Sequence, residues 1–413
     1  MTVRDAAGPS IPDVARSNIG FRRWIDRFRT RARAAGIRDG AFDVAFRGVR
    51  YNAGVIRSDR CQPEFTRQVW NYLDAVVSDA RVKDGRAALQ GNRRLLAEIE
   101  AKFEVEAAIL AAVWGAESDF GACRGDTPLI EALATLAFDG RRARFFEDQL
   151  IAALKIVQAG SVSPKRLKGS WAGGMGHAQF MPTTYLEHAV NFRGNGRSDI
   201  WSDDPADALA STASFLRRCG WRKGQPWGVE VVPARGFDLA LADGRIRKTA
   251  NGWTAMGVRD ARGRRVPDHG FASILMPAGL RGAAFMIFDN FHVIRQYNAA
   301  DAYVIAVGHL ADRLEGGAPF RARWPRKDRT LGHAEKMEMQ RLLTARGFDT
   351  QGTDGIIGPN TVDAIRAFQA SQGLPPDGYA SHEVLERLRR DRRLSSILGS
   401  GRSRRRLPED RRR

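Results

Sequence analysis

The chain has 413 residues, 43% of them apolar, which leaves room for two or three domains of ordinary globular composition. Its net charge is +19, no apolar run approaches the length of a membrane span, and its three cysteines lack metal-ligand spacing and leave at least one thiol unpaired. An integral helical membrane protein and a cysteine-held zinc scaffold are thereby excluded, while a pI near 10.7 raises nucleic-acid binding as a class to weigh.

Residues 1–19 read as a flexible N-terminus, and Met1 to Asn18 contain neither the apolar core of a secretory leader nor an N-terminal cysteine that could take a lipid. Helix is expected to dominate up to about residue 220. Within that region Ala107 to Gly121 reads AAILAAVWGAESDFG. At 3.6 residues per turn Leu110, Val113, Trp114 and Glu117 share one face, so the Glu117 carboxyl is carried on the side that points into protein. An apolar environment disfavours the ionised form and raises the pKa of such a group, which makes a general acid usable near neutral pH. Asp119 projects about 200° around the helix from Glu117 and is poorly placed as a second carboxylate of a pair.

Downstream come Thr135 to Arg142 (TLAFDGRR), Phe145-Phe146, Gly169 to Pro182 (GSWAGGMGHAQFMP), Asp199-Ile200-Trp201, Pro205 to Ala208 and Arg295 to Asn298. Trp171 to Gly176 holds three glycines, so backbone there can approach a bulky ligand or a helix closely. Ser170, Gln179 and Asn298 are neutral hydrogen-bonding groups, suited to hydroxyl and acetamido partners without adding charge beside Glu117. His177 and His188 show no zinc pattern, and no metal site is assigned. From Val229 to Ile294 short strand-like runs replace the helical pattern and predict a small mixed β subdomain, about 222–294, forming one wall of a cleft. Helix is expected to return around Ala300 to Leu314. The Gly/Pro-punctuated, charged stretch 317–331 reads as a linker. Residues 332–390 then give three helical faces separated by Asp354-Gly355 and Pro376-Asp377-Gly378 turns, enough for a small three-helix unit. After Glu386 twelve arginines face three acids, a local charge of +9 on a stretch read as unfolded, with 391–413 as a basic disordered tail. No aromatic interleaves it, so stacking on bases is not suggested and no nucleic-acid partner is expected; a basic segment equally suits peripheral association with anionic polymers or lipid headgroups.

The segment Trp114 to Gly121, the Gly-rich block and the remaining blocks, in this order over roughly residues 20–316, resemble the lytic transglycosylase B family of peptidoglycan-cleaving enzymes. The pattern Gln340, Asp354-Gly355, Gly358, Thr361, Ala364-Ile365 and Phe368-Gln369 resembles the common peptidoglycan-binding domain. The fold this implies is mainly α: a lysozyme-like α+β catalytic domain over 20–316 with its small β subdomain, plus the three-helix C-terminal domain at 332–390. The resemblance makes Glu117 the sole catalytic acid/base, sets Ser170, Gln179, Tyr297 and Asn298 along the cleft near it, and matches Arg141 and Arg142 to a substrate-binding Arg pair. Most glycosidases use two carboxylates. With one, the reaction implied is protonation of the glycosidic oxygen followed by attack of the muramic acid C6 hydroxyl, giving a 1,6-anhydro sugar. Family members often carry a calcium loop of the form D-x-D-x-D. Here the equivalent Asn191 to Asp199 has Arg193 where an acid is expected, so no cofactor is expected and the loop reads as a Gly/Asn turn or as held by Arg193 or Arg197 on Asp199, Asp203 or Asp207. Peptidoglycan glycan strands are the expected partner, a monomer the expected state, and periplasm or cell envelope the location the function requires, with wall or membrane contact through the basic tail. Two alternatives stand beside this: a non-catalytic wall-binding protein, and a lysozyme-like hydrolase leaving reducing ends.

Overall fold

Helix begins earlier than the sequence suggests. In the computed structural model, which describes residues 11–60, 68–194 and 196–390, α1 runs Ile11–Ala34, so the stretch 11–19 expected to be flexible is helical. Pro12 lies in the first turn, where its missing N–H is no loss, and no breaker follows before Gly20. Residues 1–10, Cys61, Asn195 and the basic tail at 391–413 lie outside the described residues.

Five helices, α2 (Asp39–Ala45), α3 (Ala53–Arg60), α4 (Val69–Val76), α5 (Asp79–Gly91) and α6 (Arg93–Phe103), lead to α7 (Ala107–Ser118). Strands β1 (Thr127–Pro128) and β2 (Lys168–Gly169) pair antiparallel and bracket α8 (Leu129–Asp139) and α9 (Ala143–Gln158); α10 (Pro182–His188) and α11 (Ala206–Arg218) follow. The strand region holds β3 (Gly228–Val232), β4 (Lys248–Thr249), α12 (Ala250–Ala255), β5 (Arg259–Asp260), β6 (Phe271–Leu275) and β7 (Ala284–Ile287). Next come α13 (Asp289–Tyr297), α14 (Asp301–Leu314), α15 (His333–Thr344) and α16 (Pro359–Ser371), and residues 382–390 form a last helix.

These elements make two compact units. The first contains Leu73–Gln225, Asn290–Ala318 and the helices before them. Its centre is α7, buried from Ala108 through Gly115 without a solvent face, packed on α14, which is buried from Ala302 through Ala311. A helix apolar all round belongs in a core, and each fully buried Leu or Val contributes roughly 1.5–3 kcal/mol.

The second unit contains Pro226–Asp289 and the chain from Pro319 on. Its five-stranded antiparallel sheet has the order β4-β6-β7-β3-β5, with Met286 opposite both Val229 and Ile274. Trp253, Ile274, Met286 and Phe288 form the core beneath it. Helix resumes at Asp289, not near Ala300, because Asp289 and the Phe291, Val293 and Ile294 that follow supply an acidic first turn and a buried helical face. The stretch 317–331 is no free linker. Its aromatics overrule its charge: Phe320 and Trp324 pack on Phe285 with ring centroids 5.0 and 6.4 Å away, and the Arg321 and Ala322 N–H groups donate to the Glu230 carboxylate.

In the C-terminal bundle two buried glutamines hold two Asp-Gly turns. Gln340 Oε1 accepts from Gly355 N at 2.7 Å while its amide donates to Asp354 at 3.0 Å, and Gln369 does the same for Gly378 and Asp377 at 2.8 and 2.7 Å. Both glycines have φ near +73°, which favours the residue without a Cβ. Arg387 and Arg389, counted above with the unfolded basic tail, belong to the last helix; Arg389 bridges Glu338 and Glu386 at 2.6 Å each. The bundle also meets the sheet's loops within this unit, through Arg245 on Asp363 at 2.7 Å and Leu280 N on Asp377 at 3.2 Å.

Buried histidines make the fold acid-sensitive. Burial, reinforced by the Arg313 charge, lowers the His309 pKa from 6.5 to about 4, and burial moves His177 in the same direction. The folded ring stays neutral while the unfolded chain takes up a proton below about pH 6.5, so stability is lost as pH falls across that window, by roughly 2 kcal/mol at pH 5 for His309. Urea unfolding at pH 7 and pH 5 checks this: His309→Gln should shrink the loss by about that amount, and an undiminished loss in the variant would contradict it.

Candidate active site

The Glu117 carboxyl stands in the last turn of α7, and each residue around it in the sequence has a local task. The helix stops because Asp119, Phe120 and Gly121 all adopt left-handed backbone, with φ of 51°, 55° and 91°. The turn folds the Phe120 ring back onto Gly115, where a Cβ would lie 2.5 Å from it. Asp119 faces away and pairs with Arg81 at 3.2 Å, so it offers no second carboxylate beside Glu117. Ser118 donates to the His177 carbonyl at 2.7 Å and accepts from Gly121 N at 3.2 Å.

Glu117 itself is half-buried, and it has a partner that sequence reasoning missed: the Tyr303 hydroxyl on α14 donates to Glu117 Oε1 at 2.6 Å. Tyr303 stacks nearly parallel on Tyr297, with ring centroids 6.5 Å apart. A buried tyrosine in an apolar helix needs a polar partner for its hydroxyl, and that need was the available signal. Nothing in the sequence named the partner, which lies 186 residues away.

The Gly-rich loop is anchored to α7 through His177. Trp114 Nε1–H donates to His177 Nδ1 at 3.1 Å, so the neutral ring carries its proton on Nε2, 2.8 Å from the Ser202 carbonyl. The loop's glycines make room for the protein's own chain. A Cβ on Gly176 would sit 2.1 Å from the Ile200 carbonyl oxygen, and one on Gly174 2.8 Å from Gln179 Oε1.

Of the residues expected along the cleft, Tyr297 donates to the Ala178 carbonyl, and burial followed by the nearby Glu117 charge pushes its phenol well above the ordinary value, keeping it a donor. Gln179, at φ 49°, spends its amide N–H groups on the Arg124 and Gly176 carbonyls at 3.0 and 2.8 Å. Ser170 closes the loop's first turn by accepting from Gly174 N at 3.0 Å and lines a cavity of about 930 Å³ with Gly121, Arg124 and Trp171. Asn298 accepts from Ala300 N at 3.1 Å and so starts α14, the helix that carries Tyr303. The structure thus gathers Glu117, Tyr297 and the 170–180 loop around α7. Arg141 and Arg142 are held elsewhere, on the buried Asp59 of α3.

The acids described in and around the Asn191 to Asp199 loop are already engaged by the protein. Asp207 spends one carboxylate oxygen on Phe192 N and the other on Asp199 N, both at 2.8 Å. Asp199 pairs with Arg166 at 3.1 Å, Asp203 with Arg124 at 2.7 Å, and Arg193 reaches Asp204 at 3.5 Å, a different acid from those expected. Among the described residues no group of three or more His, Cys, Asp or Glu is arranged to hold a metal.

Comparison with known proteins places this geometry. The family described as "Transglycosylase SLT domain" matches residues 20–312, and the one described as "Putative peptidoglycan binding domain" matches 333–388. The crystal structure of SltB3 from Pseudomonas aeruginosa in complex with NAG-anhNAM-pentapeptide is 47% identical, covers 89% of this chain and 99% of its own, and superposes with a TM-score of 0.86. The Escherichia coli lytic transglycosylase Slt35 in complex with calcium is 26% identical, with a TM-score of 0.61 over 72% of this chain and 93% of its own. Membrane-bound lytic murein transglycosylase B of Escherichia coli K12 is 33% identical over 209 residues, half of this chain; the chain spans 56% of that relative's length. With a helical lysozyme-like fold, an acid at the end of its buried helix and a match over most of its length, the chain belongs to the transglycosylase SLT domain family and carries a C-terminal peptidoglycan-binding domain.

Proposed function

We propose that the chain is a lytic transglycosylase that cleaves the MurNAc-GlcNAc bond of peptidoglycan and leaves 1,6-anhydromuramic acid ends. The observation that carries this reading is the single carboxyl at the end of α7, oriented by Tyr303, with the next acid, Asp119, committed to Arg81. Protonated Glu117 gives its proton to the bridging oxygen as the bond to muramic acid C1 breaks. Its carboxylate then accepts the C6 hydroxyl proton as O6 closes on C1, which restores the acid. No water is consumed, so no second carboxylate is required to activate one. Tyr297, Gln179 and Ser170 hold the 170–180 loop, and Asn298 positions α14 beneath Tyr303. The anhydro sugar bound in the Pseudomonas aeruginosa structure, on a chain 47% identical, supports the same product here.

The C-terminal bundle would retain the enzyme on the wall, and action on the wall places it in the cell envelope, in the periplasm. Among the described residues no helix is long and apolar enough to cross a membrane. The engaged acids around Asn191 to Asp199 support catalysis without calcium, and a monomer suffices for the site.

Glu117→Gln should abolish release of muropeptides from purified sacculi while leaving sacculus binding intact; turnover near the parent rate would refute the assignment. Mass spectrometry of the parent's products should show anhydro ends, and reducing ends would make it a hydrolase. Tyr303→Phe keeps the ring but removes the hydrogen bond to Glu117, and should lower kcat by roughly ten- to a hundredfold with little change in Tm. Dialysis against EDTA should leave both activity and Tm unchanged, and a fall restored by added calcium would show that the loop binds the ion after all.

A further inference from the structure

One edge of the five-stranded sheet carries a basic and partly apolar surface that the proposed catalysis does not use. Strand β5 ends the sheet and pairs with β3, with Arg259 opposite Val232 and Asp260 opposite Val231. After β5 the chain turns back, Asp260 N donating to the Arg264 carbonyl at 2.9 Å, and this turn carries Arg262, Arg264 and Arg265, all exposed. Arg321 reaches the same turn by donating to the Ala261 carbonyl at 3.3 Å. Before β5, Gly257 lies against Ala234, where a Cβ on it would come 2.6 Å from the Ala234 Cβ; Met256 and the exposed Arg235 therefore sit on adjoining segments. Of these six arginines, only Arg264 is in an ion pair among the described residues, with Asp260 at 2.8 Å. Arg259 spends its guanidinium on the neutral Thr254 and Val258 carbonyls at 2.6 and 2.9 Å, and the Glu230 carboxylate is taken by the backbone N–H groups of Arg321 and Ala322. Among these charges Val232 is 57% and Met256 39% exposed.

Arginines along an edge strand blunt its pairing with another sheet. That accounts for charge at β5, but not for two apolar side chains left in water beside it. A strand of two residues is too short to accept an added strand from a protein partner. A purely anionic polymer gains nothing from Val232 or Met256. A bilayer with anionic headgroups uses both features, because guanidiniums fork onto phosphate oxygens while apolar side chains enter the boundary between headgroups and acyl chains. Each arginine at such a surface is worth roughly fivefold in affinity.

We propose that the β3–β5 edge is a membrane-docking surface, on which Arg235, Arg259, Arg262 and Arg265 meet the phosphates of an anionic bilayer and Val232 and Met256 enter its interface. Docking of this kind is a property of the folded sheet and holds the chain peripherally, without a spanning helix.

Flotation of the full chain with vesicles of roughly three parts phosphatidylglycerol to seven of phosphatidylethanolamine, against vesicles of phosphatidylcholine, tests this. The parent should bind the anionic vesicles and not the neutral ones, and lose affinity as salt rises. Arg262→Gln combined with Arg265→Gln should weaken binding at least about tenfold. Val232→Ser combined with Met256→Ser keeps every charge and should weaken it about fivefold, with the slope against salt unchanged. All four positions are exposed and belong to the second unit, which holds none of the groups around Glu117, so Tm and muropeptide release from isolated sacculi should stay at parent values. Undiminished binding by the arginine variant assigns the attraction to other charges and overturns the proposal. Loss in the arginine variant with none in the Val232 and Met256 variant makes the surface a receptor for charge alone, and overturns the bilayer as its partner. Failure of the parent to bind anionic vesicles overturns it outright. Binding is read without substrate, so none of these outcomes bears on the transglycosylase reading.

Discussion

A helix with no solvent face can show a polar group to a ligand only at its ends. That constraint governs this molecule: α7 is buried from Ala108 to Gly115, so its last turn is where a working acid can emerge. Three consecutive left-handed residues stop the helix directly after Ser118, and the returning Phe120 ring packs where Gly115 has no side chain. Without that reversal the helix would continue past Ser118 and the Phe120 ring could not return to Gly115. The Tyr303 hydroxyl then fixes the direction of the carboxyl from a second core helix. Two helices that cannot shift without opening the apolar core thus define the position of one proton.

The charges around the site are sorted by distance from that proton. Close to it the groups are neutral: the His177 ring is deprotonated by burial, the Tyr297 phenol stays protonated, and the loop is held by amide and hydroxyl contacts. Of the ionised groups described next to this zone, Asp119 is matched by Arg81 and Arg124 by Asp203.

The helical period alone put Glu117 on the inward face, and the Gln and Asp-Gly pattern of the C-terminal bundle was equally legible, because both are local. Tyr303 and Asp59 were not, since their partners lie 186 and 82 residues away and only packing brings them together. The glycines of 173–176 were read as room for a ligand or a helix; Gly173 does give room to Leu133 of α8, while Gly174 and Gly176 make way for the Gln179 side chain and the Ile200 backbone. Composition misled at 317–331, where Phe320 and Trp324 outweigh the surrounding charge by burying against Phe285. The same error in reverse assigned Arg387 and Arg389 to an unfolded tail, though an acid on the facing helix, Glu338, pairs with one of them.

In the proposed reaction one acid suffices for bond cleavage because the second half needs only the proton's return. In a hydrolase the nucleophile must be recruited from solvent and activated on the opposite face of the sugar, and a second carboxylate does that. When the attacking oxygen belongs to the ring already bound, the effective concentration is set by the sugar's own geometry, and orientation replaces activation. The protein's remaining task is to keep the ring in place and exclude competing water. The close-packed 170–180 loop, pinned to α7 through His177 and to α13 through Tyr297, meets that demand with hydrogen bonds to its own backbone. Asp119, the next acid along the chain, is committed to Arg81, and the proposed reaction does not call on it because no water has to be activated.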